Sequence, residues 1–359
     1  MKKILIINPG STSTKIAVYD GHERLWQENI EHDSEALLAY PTIFAQIPYR
    51  LSVILDRYEE HGDKPEELAC VMSRGGLLPP LHSGAYEVND EMINVLENRP
   101  VLHHASNIGA AVALQIARPL GIKAYIYDPV TVDEMIDLVR VTGLKEVKRH
   151  GQGHNLNMRA VALRYCGEHG LSYAKQTLIV AHLGGGITLT LHQNGRIIDM
   201  VSDEEGPFSP ERAGLIPTYK LTKMIFDRHM DYPQAMQMLQ RKGGLNALLG
   251  TTDVRQVQGR IAAGDKEAAL AYEAMALGVA GGIGRLAVVV CGAVDQILLT
   301  GGIAHSETFT GMIVDRVRFI APVSILPGEN EMQALADGAC RVLDGEEEAA
   351  VYRENAVGC

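Results

Sequence analysis

Three short turns hold most of the residues whose types and spacing could do chemistry. The first reads Asn8-Pro9-Gly10-Ser11-Thr12-Ser13-Thr14-Lys15. Pro9 and Gly10 set a tight bend, four consecutive hydroxyl residues offer O–H and N–H groups to phosphate oxygens, and Lys15 adds a positive charge. It is not a P-loop, which needs four residues between a Gly and Gly-Lys-Ser/Thr ahead of a helix, because here a strand follows. The second turn, His182-Leu183-Gly184-Gly185-Gly186, lacks Cβ atoms at three successive positions, so backbone can approach a ligand closely with His182 beside it. The third, Thr300-Gly301-Gly302-Ile303-Ala304-His305-Ser306, ends an apolar run ahead of a helical one, where nucleotides commonly dock. Each has a plainer reading. A hydroxyl-rich bend is often only a turn, a lone His is often a packed structural residue, and a Gly-Gly pair is weak by itself.

Strands must hold these turns in place. Apolar runs at 4–7 and 16–19 flank the first, and runs at 178–183 and 187–192 flank the second. Asp20-Gly21 then leads to a third strand around Leu25-Trp26, and Asn194-Gly195 to one at Ile197-Ile198; both dipeptides favour hairpin turns. A three-strand meander therefore occurs twice, half a chain apart. That predicts two similar lobes, each offering a small-residue turn to a cleft. A strand at 124–127 and helical patterns at 133–139 and 158–169 lie between the meanders. Beyond the second come helices at 218–240, 266–278 and 284–290, a strand at 296–300 and a closing helix at 332–343, which is α/β patterning. The acidic run Glu346-Glu347-Glu348 reads as a solvated tail.

Length and charge bound the function. A chain of 359 residues exceeds one ordinary core, so two domains are expected. With 33 Lys and Arg against 44 Asp and Glu, the net charge of -11 disfavours a general grip on nucleic acid, and anion binding has to be local. The start imitates a signal peptide, but its apolar run stops after four residues at Asn8-Pro9-Gly10 and reads as a strand. Arg285, Asp295 and several glycines interrupt the apolar stretch 276–303, which argues against a membrane span. Cys70, Cys166, Cys291, Cys340 and Cys359 show no paired or metal-like spacing and read as reduced, packed thiols.

Taken together, in order and spacing, the turns and the segments between them resemble the butyrate kinases, relatives of acetate kinase within the actin-like ATPase superfamily. The resemblance runs essentially end to end. Besides the three turns it rests on Ser73-Arg74-Gly75-Gly76-Leu77-Leu78, Ala105-Ser106-Asn107, Asp128-Pro129-Val130, Gly206-Pro207-Phe208-Ser209-Pro210-Glu211-Arg212 and Pro327-Gly328-Glu329-Asn330-Glu331-Met332. Pro9 matches the butyrate kinase branch better than the acetate kinase one. The resemblance implies an α/β fold of two duplicated RNase H-like (actin-like ATPase) domains with a central cleft. Residues 1–153 and 333–359 would form the N-terminal lobe and 154–332 the C-terminal lobe.

The same resemblance implies roles. Asn8, Ser11, Thr12, Ser13 and Lys15 would form the first phosphate loop, His182 with Gly184, Gly185 and Gly186 the second, and Gly301, Gly302 and Ile303 the adenosine site. Arg74 would stand beside the acid substrate, where a planar guanidinium can hold a carboxylate in a bidentate pair; a surface ion pair is the plainer alternative. Asp128 would orient the attacking carboxylate and, with Glu331, hold Mg²⁺, although Asp-Pro is also an ordinary turn. Arg212 corresponds to a second active-site arginine, in a segment shorter than that of acetate kinases. His154 corresponds to the other active-site histidine; relatives carry a bulky Phe just before it, whereas this chain has Gly151-Gln152-Gly153. His103 and His104 lie where acetate kinases carry a substrate-side segment.

The implied activity is reversible transfer of phosphate between ATP and butyrate, giving butyryl phosphate and ADP. It would need Mg²⁺ and run in the cytoplasm on a homo-oligomer, dimer or larger, with no nucleic-acid or membrane partner. Kinases of another short or branched acid (isobutyrate, propionate, acetate) share these motifs, because one methylene changes pocket binding only modestly. A non-kinase actin-like ATPase is the rival of another class, and it would hydrolyse ATP without needing an acid.

Overall fold

The computed structural model describes residues 2–354. The chain divides into two compact units, Met1–Asp133 with Asn330–Cys359, and Glu134–Glu329. In the first, strands β1 (Lys3–Pro9), β2 (Ser13–Asp20) and β3 (Glu23–Glu31) form an antiparallel meander. β4 (Leu68–Arg74) lies parallel to β1 on its other side, and β5 (Ala85–Glu87) and β6 (Lys123–Tyr127) extend the sheet. Ile4 to Ile7 of β1 form an unbroken apolar run because both faces of the strand are covered. Leu5 and Ile7 join a core with helix Gly109–Leu120, while Ile4 and Ile6, at the alternate positions, take the opposite face; helix Glu331–Leu343 also packs on β1.

The second unit repeats the plan. β7 (Leu178–Leu183), β8 (Ile187–Gln193) and β9 (Arg196–Val201) form the meander, and β10 (Gln296–Thr300) and β11 (Val323–Ile325) follow in parallel. Ile179, Ala181 and Leu183 pack with helix Lys266–Val289, and Leu178 and Val180 with helix Asn155–Glu168. The sheet orders β3-β2-β1-β4-β6 and β9-β8-β7-β10-β11 are the same, so the duplicated meander expected from sequence is present. Asn194 and Gly195 both have positive φ, 54° and 75°, as their hairpin turn requires.

Four local expectations need correction. The patterns at 266–278 and 284–290 are one helix, Lys266–Val289. Gly278 and Gly282 within it are places of close approach: a Cβ at Gly278 would lie 2.9 Å from Pro207, and one at Gly282 3.2 Å from Leu189. This helix is long and apolar enough to cross a membrane by length and composition, yet its buried side forms the core of the second unit. The stretch 218–240 is two helices, Thr218–Asp227 and Tyr232–Gln240, parted where His229 takes φ 50° and Asp231 begins a capping box with Gln234. Only Asp137–Arg140 is helical near 133–139. Glu347 is no solvated tail: its carboxylate accepts bonds from the Tyr127 hydroxyl at 2.6 Å, the Ala85 N–H at 3.1 Å and Arg341. Cys70, Cys166 and Cys340 are free and buried, Cys291 is exposed, and Cys359 lies outside the described residues.

Candidate active site

In the first unit the chemistry collects at the carboxyl ends of the parallel strands β1, β4 and β6, the side of an α/β sheet where ligands bind. Register pairs Ile7 with Ser73 and Arg74 with Tyr127, so Asn8, Arg74 and Asp128 emerge from neighbouring strand ends. Asn8 and Arg74 converge on one carboxylate, that of Glu331 at the start of helix Glu331–Leu343. Asn8 Nδ2 donates to Glu331 Oε2 at 2.8 Å, and Arg74 Nη1 lies 3.0 Å from Oε1. Asp128 is buried at φ 38°, a left-handed setting that Asp tolerates better than most residues, and its Oδ1 accepts the Gly84 N–H at 2.7 Å. Gly75 is required by this packing, because a Cβ there would lie 2.6 Å from Pro129 Cβ. His104 caps the short helix Ala105–Ile108 by accepting the Ser106 N–H at 3.1 Å. Burial, and then the nearby Arg74 charge, push its imidazole below the usual histidine range.

The turn between β1 and β2 presents Ser11, Thr12 and Lys15 to solvent, while Thr14 points inward. A residue absent from every motif holds it from behind. Arg50, on helix Ile47–Glu60, is 1% exposed and reaches the carbonyls of Gly10, Ser11 and Ser13 at 2.9–3.1 Å. It lies some forty residues from the turn in sequence, and only an Arg among apolar helix neighbours could have signalled it.

In the second unit the glycine turn follows β7, beside the end of the parallel strand β10. Gly301, at φ 90°, lies against Leu183; a Cβ there would sit 2.4 Å from the Leu183 carbonyl oxygen. The second and third turns are therefore brought together, with Gly302 and Ile303 continuing from the contact. His182 is buried, and Asn157 Nδ2 donates to its Nδ1 at 3.0 Å, which leaves the proton on Nε2. That N–H has no hydrogen-bond partner of good geometry; Glu329 Oε1 lies 2.7 Å from Nε2 but off the N–H direction. A buried donor without an aligned acceptor, next to three residues lacking Cβ, fits a phosphoryl oxygen.

His154 lies on the far side of the same ring. Its imidazole stacks on that of His182, and its Nδ1 is 3.0 Å from Thr188 Oγ1. The glycine before it has a reason in this chain: a Cβ at Gly153 would lie 2.7 Å from Thr188 Cγ2 and 3.1 Å from Met200 Sδ. The segment carrying Arg212 packs on the glycine turn, since Ser209 Oγ donates to the Gly185 carbonyl at 2.6 Å and the Glu211 N–H to the same oxygen at 3.3 Å. The Arg212 guanidinium is held by Asp203 at 3.0 Å and Glu211 at 3.1 Å. Asn157, Thr188 and Glu329 were not singled out from sequence. Asn157 follows His154 by one helical turn, and that spacing was the available signal.

The acetokinase family model matches residues 137–324. A probable butyrate kinase 2 of Caldanaerobacter subterraneus subsp. tengcongensis is 44% identical over 98% of this chain and all of its own length. The chain belongs to the acetokinase family. Butyrate kinase 1 of Clostridium acetobutylicum is likewise 44% identical over 98% of this chain and 100% of its own. Among solved structures, the acetate kinase of Porphyromonas gingivalis superposes with a TM-score of 0.78 over 96% of this chain and 100% of its own, at 21% identity. That likeness is one of fold, and it gives this family member the duplicated actin-like ATPase architecture seen in its two matching sheets.

Proposed function

We propose that this chain is a kinase moving phosphate reversibly between ATP and the carboxylate of butyrate. The observation that carries this reading is the 44% identity, over nearly the full chain, to relatives named as butyrate kinases. A butyrate oxygen forms a bond to the γ-phosphorus as the bond from that phosphorus to the β,γ-bridging oxygen breaks, and ADP leaves. The carboxylate is already ionised at neutral pH, so no side chain has to act as nucleophile or strong base. The protein's work is to align two anions and to stabilise the charge spreading over the phosphoryl oxygens.

Arg74, whose fork already faces a carboxylate, is the residue for the acid group or the transferring phosphoryl. His182 Nε2–H, backed by Asn157 and the stacked His154, would donate to a phosphoryl oxygen. Asn8, Ser11, Thr12, Ser13 and Lys15 would take phosphate oxygens at the first turn and Gly184 to Gly186 at the second. The surface at Gly301, Gly302 and Ile303 would take the nucleoside, and Arg212 would support the phosphoryl side. Asp128 and Glu331 supply two hard carboxylates, a donor set suited to Mg²⁺, which typically binds one or two carboxylates plus substrate phosphates. Bound there, Mg²⁺ would neutralise charge on the phosphate chain.

We also infer a cytoplasmic homo-oligomer. In support, helix Thr218–Asp227 buries none of its residues and exposes Tyr219 and Phe226. The test of the activity is acyl-hydroxamate formation from ATP and hydroxylamine with straight and branched acids of two to six carbons. The expected profile peaks at butyrate; no product with any acid would reject the reading.

A further inference from the structure

Arg50 carries a charge that the phosphate-transfer reading does not use. All of its hydrogen-bond acceptors are neutral. Nη1 donates to the carbonyls of Gly10 at 2.9 Å and Ser13 at 3.1 Å and to Thr14 Oγ1 at 3.0 Å. Nη2 donates to the Ser11 carbonyl at 3.1 Å, and Nε and Nη2 both donate to Gln46 Oε1, at 3.2 and 3.0 Å. No carboxylate among the described residues forms an ion pair with it. Burial pulls the guanidinium below its ordinary range, but arginine keeps its proton at any physiological pH.

A buried cation without a counter-ion is expensive unless something compensates it. The turn shows what that is. A carbonyl and the N–H of the next residue point opposite ways across a trans peptide. With the Gly10 and Ser11 carbonyls drawn in to Arg50, the N–H groups of Ser11 and Thr12 are turned outward, at residues that are themselves exposed. Such outward N–H groups form a concavity for an anion, and the guanidinium directly behind adds a full positive charge.

We propose that Arg50 is the positioning residue of the phosphate turn, setting its N–H groups towards the ligand, and that the bound phosphate chain is the counter-ion its buried charge lacks. This rests on the assignment of ATP to that turn. It differs from a merely structural brace, which would hold the loop regardless of charge.

Gln46→Glu separates the two roles. The new carboxylate keeps an acceptor where Gln46 Oε1 stands and adds a negative charge beside Arg50, so every bond of the fork survives while the field at the turn is cancelled; the one bond given up is the long 3.4 Å contact from Gln46 Nε2 to the Leu37 carbonyl, away from the turn. Titration calorimetry of the full-length protein with MgATP and with adenosine reads the result. MgATP affinity is expected to fall roughly ten-fold, the size of one charge acting through a protein-like dielectric, with adenosine affinity unchanged and the melting temperature no lower. Arg50→Gln, which removes the charge from the other side, is expected to give the same selective loss. Unchanged MgATP affinity in Gln46→Glu, or equal weakening of MgATP and adenosine in both variants, overturns the proposal. Wild-type protein that binds no MgATP overturns the ATP assignment beneath it instead.

Discussion

The imidazoles of His154 and His182 stack face to face, with ring centroids 4.1 Å apart and planes 17° from parallel. Because Asn157 holds one edge of the His182 ring and His154 covers its face, the remaining N–H has a fixed direction. A rigid, pre-aimed donor is what stabilisation of a phosphoryl transition state requires, since no reorganisation is then needed at the moment of reaction. His182→Ala should lower kcat about 10² to 10³ fold with the fold retained. His154→Ala, which removes only the backing ring, should cost less, roughly ten-fold. Steady-state kinetics with circular dichroism checks both; equal losses would assign His154 a direct contact with substrate.

Arg74 and Asp128 share a strand-end neighbourhood and should respond differently to conservative change. Arg74→Lys keeps the charge but loses the planar fork, so kcat/KM for the acid should fall about 10² fold, the loss expected for one aimed donor. A value near wild type would show that the fork is not used.

Asp128→Asn keeps an oxygen for the Gly84 N–H and a residue type that accepts positive φ. It should fold normally, within about 1 kcal/mol of wild type, while turnover falls by about 10² or more. Asp128→Ala should in addition lose about 1–3 kcal/mol of stability, because a buried N–H is left unpaired. Urea denaturation beside the activity assay distinguishes the charge effect from the structural one.

Gly153→Ala tests the approach that seats His154. The added methyl would stand 2.7 Å from Thr188 Cγ2, and such overpacking typically costs about 1–3 kcal/mol. Thermal unfolding should show that loss together with reduced kcat; a variant as stable and active as wild type would mean that the segment relaxes freely.

His192 gives the protein an acid limit. It is fully buried between Tyr173 and Thr190, and burial, followed by the Arg159 charge, pulls its imidazole down to about 3. The unfolded residue titrates near 6.5, so the unfolded chain takes up the proton first as pH falls. The stability His192 contributes is full above that value and is lost towards pH 3, at about 1.4 kcal/mol per pH unit. Denaturation midpoints at pH 7.5 and 5 should show this slope, and His192→Gln should reduce it.

Much of this was legible in the sequence for identifiable reasons. Strands announced themselves through buried apolar runs such as Ile4-Leu5-Ile6-Ile7, and turns through Gly and Asn residues needing positive φ, such as Asn194-Gly195. What was hidden depends on partners distant in the chain. Glycines that look like helix breakers at 278 and 282 are contact points for Pro207 and Leu189, which only packing reveals. Glu347 looked solvated until Tyr127 and Arg341 came back to it. Arg50 belongs to the turn between β1 and β2 by space alone. His182 could be picked out from its turn, whereas its partner Asn157 required the helix to place it.

Phosphorus NMR of the purified protein with MgATP, with and without butyrate, tests the central claim most directly. The account predicts that ADP and an acyl phosphate resonance grow together, and only when butyrate is present. ATP that stays intact with butyrate, or that is hydrolysed to ADP and inorganic phosphate at a rate indifferent to butyrate, would contradict it.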